Sequence, residues 1–478
     1  MSQLPTDAQN VPTASLTSHA ILVPWGLFAQ RIGLVKGLEQ VPIPQRQRTH
    51  SPQTKLIEFL VAILTGCAYL QDISRGLHPL DQDQTVARFW GQEQWADYSG
   101  VSRTLQACTE ETVSAIRTAL QQVSQPFIDR EVMLALRDRG VLVYDGDLTG
   151  RPVSNGSTTY PGVAFGWMSD TIRLGYQAAM VSMHRPTYGR LWLSVEQHPG
   201  DTVSVTQAEA LVRAAEAQTG ARPWRRTDLL ASRIAAAKAQ QQAAEVELSR
   251  AQARLEQSRQ RLDQLEHELP VWQQRVSELE SDYRARNRPE RAHSRLAQAR
   301  HKLQVRERRW KRRCRDLGRD NRRLERCQRN VLLLQTELLE LEQRLAQFVE
   351  DNRTNPWPIR AIFRLDGGFG SGSNIALLIE MGYEVYSKAG DGRVIRAQRR
   401  QVTATTSWTR VGKNSEVVAW EGVRITHCPY PLEVALERFH VGDKKRHAVL
   451  LHYGETKVMS DLAGWFNFYN GRQDIEMV

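Results

Sequence analysis

Two short apolar runs in this sequence each end on an aspartate followed by glycine. Residues 141–144, Val-Leu-Val-Tyr, lead into Asp145-Gly-Asp147. Residues 361–365, Ala-Ile-Phe-Arg-Leu, lead into Asp366-Gly-Gly. Such runs predict buried strands that deliver an acidic side chain at their carboxyl ends. On neighbouring strands Asp147 and Asp366 would lie close together, and a hard cation such as Mg²⁺ would have to offset their repulsion.

A third acidic side chain lies near the end of the sequence. Tyr469, Arg472 and Glu476 are spaced three and four residues apart, which places them on one face of a helix. Two aspartates from strands and a glutamate from a helix form a ligand set for two divalent ions, an arrangement suited to phosphodiester chemistry. The sequence therefore predicts a metal site at Asp147, Asp366 and Glu476. Asp145 is the alternative first acid, because residues two apart point the same way from a strand.

These blocks resemble the DDE transposases of bacterial insertion sequences, specifically the branch with a Tyr-x2-Arg-x3-Glu-x6-Lys signature. Asp147 lies in an Asp-x-Thr context and matches the first acid of that family. Asp366 lies in Arg-x-Asp-Gly-Gly-Phe and matches the second. Tyr469, Arg472 and Glu476 match the third block, which is the most specific because three residue types coincide at two fixed spacings.

The resemblance covers roughly residues 50–478 and implies an enzyme that cuts and joins DNA ends. Its site would hold two Mg²⁺ ions, with Mn²⁺ as a substitute, and would perform hydrolysis and strand transfer. Arg472 would contact a phosphate, and Tyr469 would stack or hydrogen-bond near it. The implied partners are double-stranded DNA, as terminal inverted repeats and as target, and a second copy of the chain in a homodimer. The implied compartment is the bacterial cytoplasm, in association with the nucleoid.

The sequence departs from the family pattern after the last acid. The family's lysine would fall seven residues beyond Glu476, whereas this sequence stops at Val478. Three interpretations follow: a truncated product, a product completed by frameshifting, and a catalytically inactive one. The alternative function is therefore an inactive truncated transposase, or a coiled-coil DNA-binding protein, that acts as an inhibitor or assembly factor.

The amino-terminal part of the chain predicts helices. Residues 1–50 contain prolines and glutamines without sustained periodicity, and we expect a mostly irregular segment. Residues 51–137 show helical spacing of apolar residues behind capping signals, which predicts an all-helical domain. Residues 85–90 and 101–105 fit a DNA-binding helix-turn-helix, and the alternative is ordinary packed helices with surface arginines.

The remaining pattern predicts an α/β fold. Strands at 174–184 and 188–197 continue from the first strand, and an amphipathic helix at 204–217 precedes the strand that carries Asp366. Three strands, a helix and another strand are the order of an RNase H-like core. That core would comprise residues 138–227 and 351–391, followed by a β-rich insertion at 392–458 and a last helix in 459–478.

A long heptad pattern interrupts this core at residues 228–350. Large apolar residues recur every seven positions from Leu248 to Tyr283 and again, out of phase, from Leu296 to Leu345. A breaker, Asn-Arg-Pro, separates the two runs. Arms of nearly equal length predict an antiparallel coiled-coil hairpin whose ends return to the same place.

Positive charge is concentrated on this hairpin. Residues 284–329 contain 19 Lys or Arg and five Asp or Glu, so their net charge exceeds the +11 of the whole chain. Because the excess is one-sided, we predict an arm that follows DNA phosphates, and the alternative is a solvated coiled-coil surface. The predicted DNA contacts on this arm are Arg306, Arg309, Arg312 and Arg313.

Several classes of protein are excluded by what the sequence lacks. The five cysteines have no paired short spacing, which disfavours a zinc site or a disulfide framework and favours a reducing compartment. No signal peptide opens the sequence, and the longest uncharged apolar run, 59–70, is too short to cross a bilayer. The glycines after Asp366 are not followed by Gly-Lys-Ser/Thr, which excludes a nucleotide-binding P-loop.

Overall fold

Arg139 and Gly140 mark the boundary between two units of this chain, a helical one (Met1–Arg139) and one built on a sheet (Gly140–Val478). The computed structural model describes residues 16–156, 160–168, 171–185, 189–442 and 444–472. Within these residues, no helix combines the length and the apolar character needed to cross a membrane.

The first unit is a set of helices around one apolar core. Its helices are α1 (Leu22–Arg31), α2 (Leu34–Glu39), α3 (Pro52–Leu64), α4 (Asp72–Arg75), α5 (Gln84–Phe89), α6 (Tyr98–Gln106) and α7 (Glu110–Arg139). Side-chain caps fix the starts of several, since Ser51 accepts a hydrogen bond from the Thr54 amide and Asp97 accepts one from the Gly100 amide. Ile57 and Trp90 are fully buried between the helices.

The expectation of an irregular segment at residues 1–50 is wrong for residues 22–39. These residues form α1 and α2, and Leu22 and Leu38 lie in the same core as Ile57. The helices escaped prediction because each is short and the break at Gly33, which adopts a left-handed conformation, interrupts the apolar spacing.

The second unit carries one ten-stranded mixed sheet. Its strands are β1 (Val141–Pro152), β2 (Ala164–Met168), β3 (Thr171–Arg185), β4 (Gly189–Pro199), β5 (Arg360–Leu365), β6 (Glu384–Lys388), β7 (Thr409–Arg410), β8 (Ser415–Val423), β9 (Leu432–Val441) and β10 (Lys444–Tyr453). The order across the sheet is β2-β3-β1-β5-β6-β10-β9-β8-β7, with β4 also paired to β3. β1 is antiparallel to β3 and parallel to β5, which is parallel to β6.

Helices connect and cover the strands of this unit. They are α8 (Ala208–Thr219), α9 (Thr227–Ala285), α10 (Arg295–Arg353), α11 (Gly372–Glu380), α12 (Gly392–Gln401) and α13 (Leu462–Asn470). α13 packs Trp465 and Tyr469 against Val143 of β1, Ile362 of β5 and Tyr386 of β6. The last described helix therefore lies against the three central strands.

α9 and α10 form the expected helical hairpin, and the ends of the hairpin meet. The Arg225 amide donates to Asn352 Oδ1 at 2.7 Å, and Asn352 Nδ2 donates back to the Arg225 carbonyl at 3.0 Å. The Arg225 guanidinium, fully buried, also binds Asp351. This reciprocal pair holds the two chain crossings together, so the 59-residue arms leave and re-enter the unit at one point.

The segment predicted as a β-rich insertion differs from the prediction in two ways. It opens with a helix, α12, rather than a strand. Its strands also extend the main sheet, because β10 pairs antiparallel with β6 from Leu450 to Tyr453. Alternating apolar residues identified the strands, but pairing with a strand some 60 residues away leaves no local signal.

Candidate functional site

The register of β1 and β5 brings the two predicted acids to the same level. In this parallel pair Asp145 lies opposite Arg364, and Gly146 lies opposite Leu365, the last paired level. Asp147 and Asp366 are the next residues on their strands. Both acids therefore lie at the carboxyl end of β5, in the middle of the sheet.

The Asp147 carboxylate is fixed by two neighbours. The Thr149 hydroxyl donates to Asp147 Oδ2 at 2.6 Å, and Arg472 Nη1 approaches Asp147 Oδ1 at 3.5 Å. The side chain is only 4% exposed. The threonine is the one in the Asp-x-Thr pattern, and its role is to hold the carboxylate in one orientation.

Asp366 lies in a tight glycine-containing turn at the end of β5. The Phe369 amide donates to Asp366 Oδ1 at 3.3 Å. A Cβ at Gly370 would lie 1.7 Å from the Lys388 carbonyl oxygen, so only glycine lets the turn pass this close to β6. Burial raises the pKa of Asp366, the Arg472 charge opposes that rise, and the Asp147 charge adds to it. The two aspartates are thus electrostatically coupled.

Arg472 and Tyr469 lie beside this pair of acids. The Arg472 guanidinium is 4% exposed and lies 5.9 Å from the centre of the Tyr469 ring. The Tyr469 hydroxyl donates to the Leu365 carbonyl at 3.2 Å. Tyr469 is 2% exposed, and its ring packs in the core. Its hydroxyl holds the end of β5, directly before Asp366. A stacking or hydrogen-bonding role of Tyr469 near a DNA phosphate stays a prediction.

The third predicted acid, Glu476, lies outside the described residues, which end at Arg472. The helix expected to carry it, α13, ends at Asn470. Two of the three predicted acids are thus placed together by the structure, with Arg472 of the third block next to them.

Asp145 has a different environment and a different role. It is fully buried and accepts hydrogen bonds from Arg364 Nε at 2.6 Å and Arg364 Nη2 at 2.8 Å. Arg190 Nη1 donates to the same carboxylate. A carboxylate engaged by two guanidinium groups has few free lone pairs for a metal. Asp145 is therefore structural, and Asp147 is the better candidate for the first acid.

The two arginines around Asp145 also hold the carboxyl end of α13. Arg190 Nη2 donates to the Gly471 carbonyl at 2.8 Å and to the Arg472 carbonyl at 2.9 Å. Arg364 Nη1 donates to the Phe468 carbonyl. Carbonyl groups at a helix end lack partners within the helix. Arg364 satisfies one of these, that of Phe468, and Arg190 binds the carbonyls of the two residues that follow the helix. The network thereby positions Arg472 beside Asp147.

The sequence indicated only part of this network. Arg364 is the arginine of the Arg-x-Asp pattern. Because it lies two residues before Asp366, the sequence indicated that the Arg364 and Asp366 side chains point to the same side of the sheet. Arg190 opens β4 and has no local signal, because its partners lie 45 and more than 280 residues away.

The residues present fit a divalent cation. Asp147 and Asp366 supply carboxylate oxygens, which Mg²⁺ prefers. The Asp147 charge contributes to the raised pKa of Asp366. A cation between the two carboxylates would lower that pKa again. Within the part of the chain that the structure describes, no group of three His, Cys, Asp or Glu side chains is arranged for a metal. The pair would therefore provide two ligands of a larger set.

The four arginines predicted to contact DNA on the arm divide into two pairs. Arg306 lies toward the partner helix, with Nε bound to Glu268 at 2.9 Å and its guanidinium 4.5 Å from the Trp272 ring centre. Arg313 is half-buried and pairs with Asp316. Arg309 and Arg312 are exposed. The first pair is thus engaged by carboxylates, Arg306 with Glu268 of α9 and Arg313 with Asp316 of its own helix.

The sequence was compared with known proteins. It matches no protein-family model, and a search of curated proteins also found no match.

Proposed function

We propose that this chain is a DDE-type DNA transposase that cuts and joins the ends of an insertion sequence. The observation that carries the proposal is the placement of Asp147 and Asp366 at the same level of two adjacent parallel strands, with Arg472 against them. Each residue also belongs to the sequence pattern that resembles this family. Independent criteria, spacing in the sequence and proximity in space, therefore select the same residues.

The strand order supports an RNase H-like core. The run β4-β3-β1 is an antiparallel meander, and β5 and β6 follow parallel to β1 on its other side. In such cores the acidic residues lie on the first strand and on the strand beside it, as Asp147 and Asp366 do. The hairpin of α9 and α10 enters between α8 and β5 and leaves this strand order intact.

The chain's own residues prepare the proposed site. Asp147 and Asp366 would hold Mg²⁺, which when bound activates a water or a DNA 3′-hydroxyl and stabilises the leaving oxygen. Thr149 keeps the Asp147 carboxylate oriented, and the turn at Asp366 is fixed by the Phe369 amide. Arg472 supplies positive charge beside the acids and is the residue we assign to a DNA phosphate.

A basic face on α10 supports DNA as the partner. Seven arginines alternate four and three residues apart, on the side of α10 opposite its apolar seam, and all are exposed. They are Arg308, Arg312, Arg315, Arg319, Arg322, Arg326 and Arg329. We call this row the arginine stripe. At 1.5 Å per residue it runs roughly 30 Å along the helix, close to one turn of duplex DNA.

The acids of this part of α10 lie off the stripe. Asp320 accepts a hydrogen bond from Ser258 of α9 at 2.6 Å, which places it in the seam. Asp316 lies between Arg313 and Arg319 and pairs with both, although the Arg319 side chain remains 72% exposed. Glu325 is exposed next to the stripe, so seven exposed guanidinium groups face only two nearby carboxylates, Asp316 and Glu325. Such an excess of positive charge fits a phosphate backbone better than a self-neutralised coiled-coil surface.

Cleavage by the purified chain tests the proposal. The substrate is a supercoiled plasmid that carries the DNA from both sides of the protein's own coding sequence. We expect strand cleavage and joining in Mg²⁺ or Mn²⁺ and none in EDTA. Asp366→Asn and Asp147→Asn should each lower the rate at least about a hundredfold, because each removes a charged ligand.

Asp129→Asn is the matched control, since it makes the same chemical change at an exposed position of α7. It should leave the cleavage rate unchanged. DNA binding without any cleavage would favour the alternative of an inactive inhibitor or assembly protein. Cleavage that survives both Asp147→Asn and Asp366→Asn would rule out the proposed site.

A further inference from the structure

A cleft in the helical unit is lined by basic side chains that the proposed reaction does not use. Its volume is about 580 Å³, and it lies where the amino end of α3 meets α6. Its charged and titratable residues are Arg46, Arg48, His50, Lys55, Asp97 and Arg103. One acid thus faces four cations and a histidine.

Lys55 is the unusual member of this group. It is only 9% exposed, and within the described residues its ammonium group has no hydrogen-bond or ion-pair partner. Its side chain packs among other residues and lines the cleft, so the ammonium group is available to a ligand there. The pKa of Lys55 is lowered by its burial and by the charge of Arg103, with Arg48 also contributing. The fold therefore holds the ammonium of Lys55 in the cleft beside other cations.

The two nearby carboxyl groups offset only part of the positive charge of this cluster. Asp97 caps α6, with its carboxylate accepting hydrogen bonds from the Ser99 hydroxyl and the Gly100 amide. Glu58 is fully buried and accepts a hydrogen bond from the Ala96 amide at 2.9 Å. Burial raises the pKa of Glu58 to about 8, so it is mostly uncharged at pH 7. With Asp97 as the one charged acid among four cations, the cleft keeps an excess of positive charge.

The start of α3 adds to this potential. α3 has 13 residues and begins at the Ser51 cap, beside His50 and close to Lys55. The amino end of a helix attracts anions through its amide groups and dipole. A phosphate oxyanion would pair with the ammonium of Lys55 and with the guanidinium groups around it.

We propose that this cleft binds a phosphate group through Lys55 and Arg103, with Arg48 at its edge. The group is either a phosphate of a duplex DNA backbone or that of a free phosphate or phosphate ester. The proposal goes beyond the transposase assignment, because the cleft belongs to the helical unit and its binding requires neither aspartate of the sheet nor a divalent cation.

The test pairs two substitutions with two matched controls in the full chain. Lys55→Gln and Arg103→Gln remove charges from the cleft. Lys36→Gln and Arg117→Gln make the same changes at exposed positions of α2 and α7. Isothermal titration measures binding of inorganic phosphate, and fluorescence anisotropy measures binding of a duplex DNA, both in EDTA so that catalysis plays no part.

If the bound phosphate belongs to duplex DNA, each cleft substitution should weaken duplex binding about tenfold. It should also lower the slope of log affinity against log salt concentration by about one, and the controls should be unchanged. A free-phosphate source predicts that wild-type protein binds inorganic phosphate, that the cleft variants do not, and that duplex affinity stays the same. Unchanged phosphate and duplex binding in both cleft variants overturns the proposal.

A further variant distinguishes a structural role of Lys55 from a role in phosphate binding. Lys55→Met keeps the aliphatic volume and removes a charge that Arg103 and Arg48 repel, so we expect a higher melting temperature together with the loss of phosphate binding. Wild-type phosphate binding in a stably folded Lys55→Met protein would likewise overturn the site. These outcomes do not depend on whether the chain cleaves DNA.

Discussion

The Asp145 carboxylate is enclosed by two guanidinium groups, whereas the Asp147 carboxylate is shared by a hydroxyl group and the edge of Arg472. The two residues are chemically identical and lie on the same side of β1. Their different surroundings give one a role in stability and leave the other available for chemistry. Substitution of Asp145 should therefore lower stability far more than substitution of Asp147.

Asp145→Asn should destabilise the second unit by about 3–5 kcal/mol, because it leaves two buried guanidinium groups without their carboxylate. Asp147→Asn should change stability by less than about 1 kcal/mol, since it also removes repulsion with Asp366. Denaturation in urea, followed by circular dichroism, measures both. Equal destabilisation by the two substitutions would contradict these roles.

The raised pKa of Asp366 gives a pH dependence with a defined sign. Between the unfolded value, near 3.9, and the raised folded value, the folded chain binds more protons than the unfolded chain. Stability in this window therefore falls as pH rises. Asp366→Asn should flatten this decline, which denaturation at a series of pH values between 4 and 7 measures. A variant profile that parallels wild type would contradict the assignment.

Magnesium should reverse the decline, because the deprotonated pair is the form that binds it. At ten times its dissociation constant the cation should stabilise the folded chain by about 1.4 kcal/mol above the window and by much less below it. The Asp129→Asn control should retain this gain, and Asp366→Asn should lose it. This measurement reports on the site without any need for DNA cleavage.

At the scale of elements, the sequence predicted those helices and strands whose formation depends on their own residues. The strand before Asp366, the strands near 174–184 and 188–197, and the two long arms all occur close to their predicted positions. The strand predicted to end before Asp145 begins at Val141 as expected but continues through Asp147 to Pro152, because residues 144–152 pair with β3. The strands have short runs of apolar residues, and the arms have an apolar repeat of seven residues. Such elements can be predicted because the signal and the element occupy the same residues.

Pairing between distant segments could not be predicted in the same way. β10 joins the main sheet through β6, and β2 adds a hairpin beside β3, although nothing within either strand specifies its partner. The convergence of Asp147 and Asp366 was predicted only because both apolar runs lead into an aspartate followed by glycine. The contacts of Arg190 and the burial of Tyr469 depend on how α13 packs, and they were missed for that reason.

At the scale of the whole molecule, the positive charge lies largely on one helix of the hairpin. Residues 308–329 of α10 contain eleven Lys or Arg and three acids, whereas residues 247–268 of α9 contain four Arg and five acids. Salt bridges such as Arg306 to Glu268 and Arg323 to Glu247 place these two stretches side by side. The arm therefore has one strongly basic side and one nearly neutral side.

This asymmetry allows a test with two variants that have the same net charge but lose it from different helices. Changing Arg312, Arg315, Arg319 and Arg322 to Gln removes four charges from the arginine stripe. Changing Arg250, Arg254, Arg259 and Arg261 to Gln removes four exposed charges from α9. Glutamine preserves helix propensity, so both hairpins should remain helical.

If DNA lies along the arginine stripe, the α10 variant should lose about three units from the slope of log affinity against log salt concentration, and the α9 variant should lose less than one. The physical reason is that only charges in contact with phosphates release counterions on binding, whereas net charge acts equally through both helices. Fluorescence anisotropy with a duplex at several salt concentrations, in EDTA, measures both slopes. Equal losses in the two variants would mean that the arm attracts DNA only through its overall charge, and the stripe would then be a solvated helix surface.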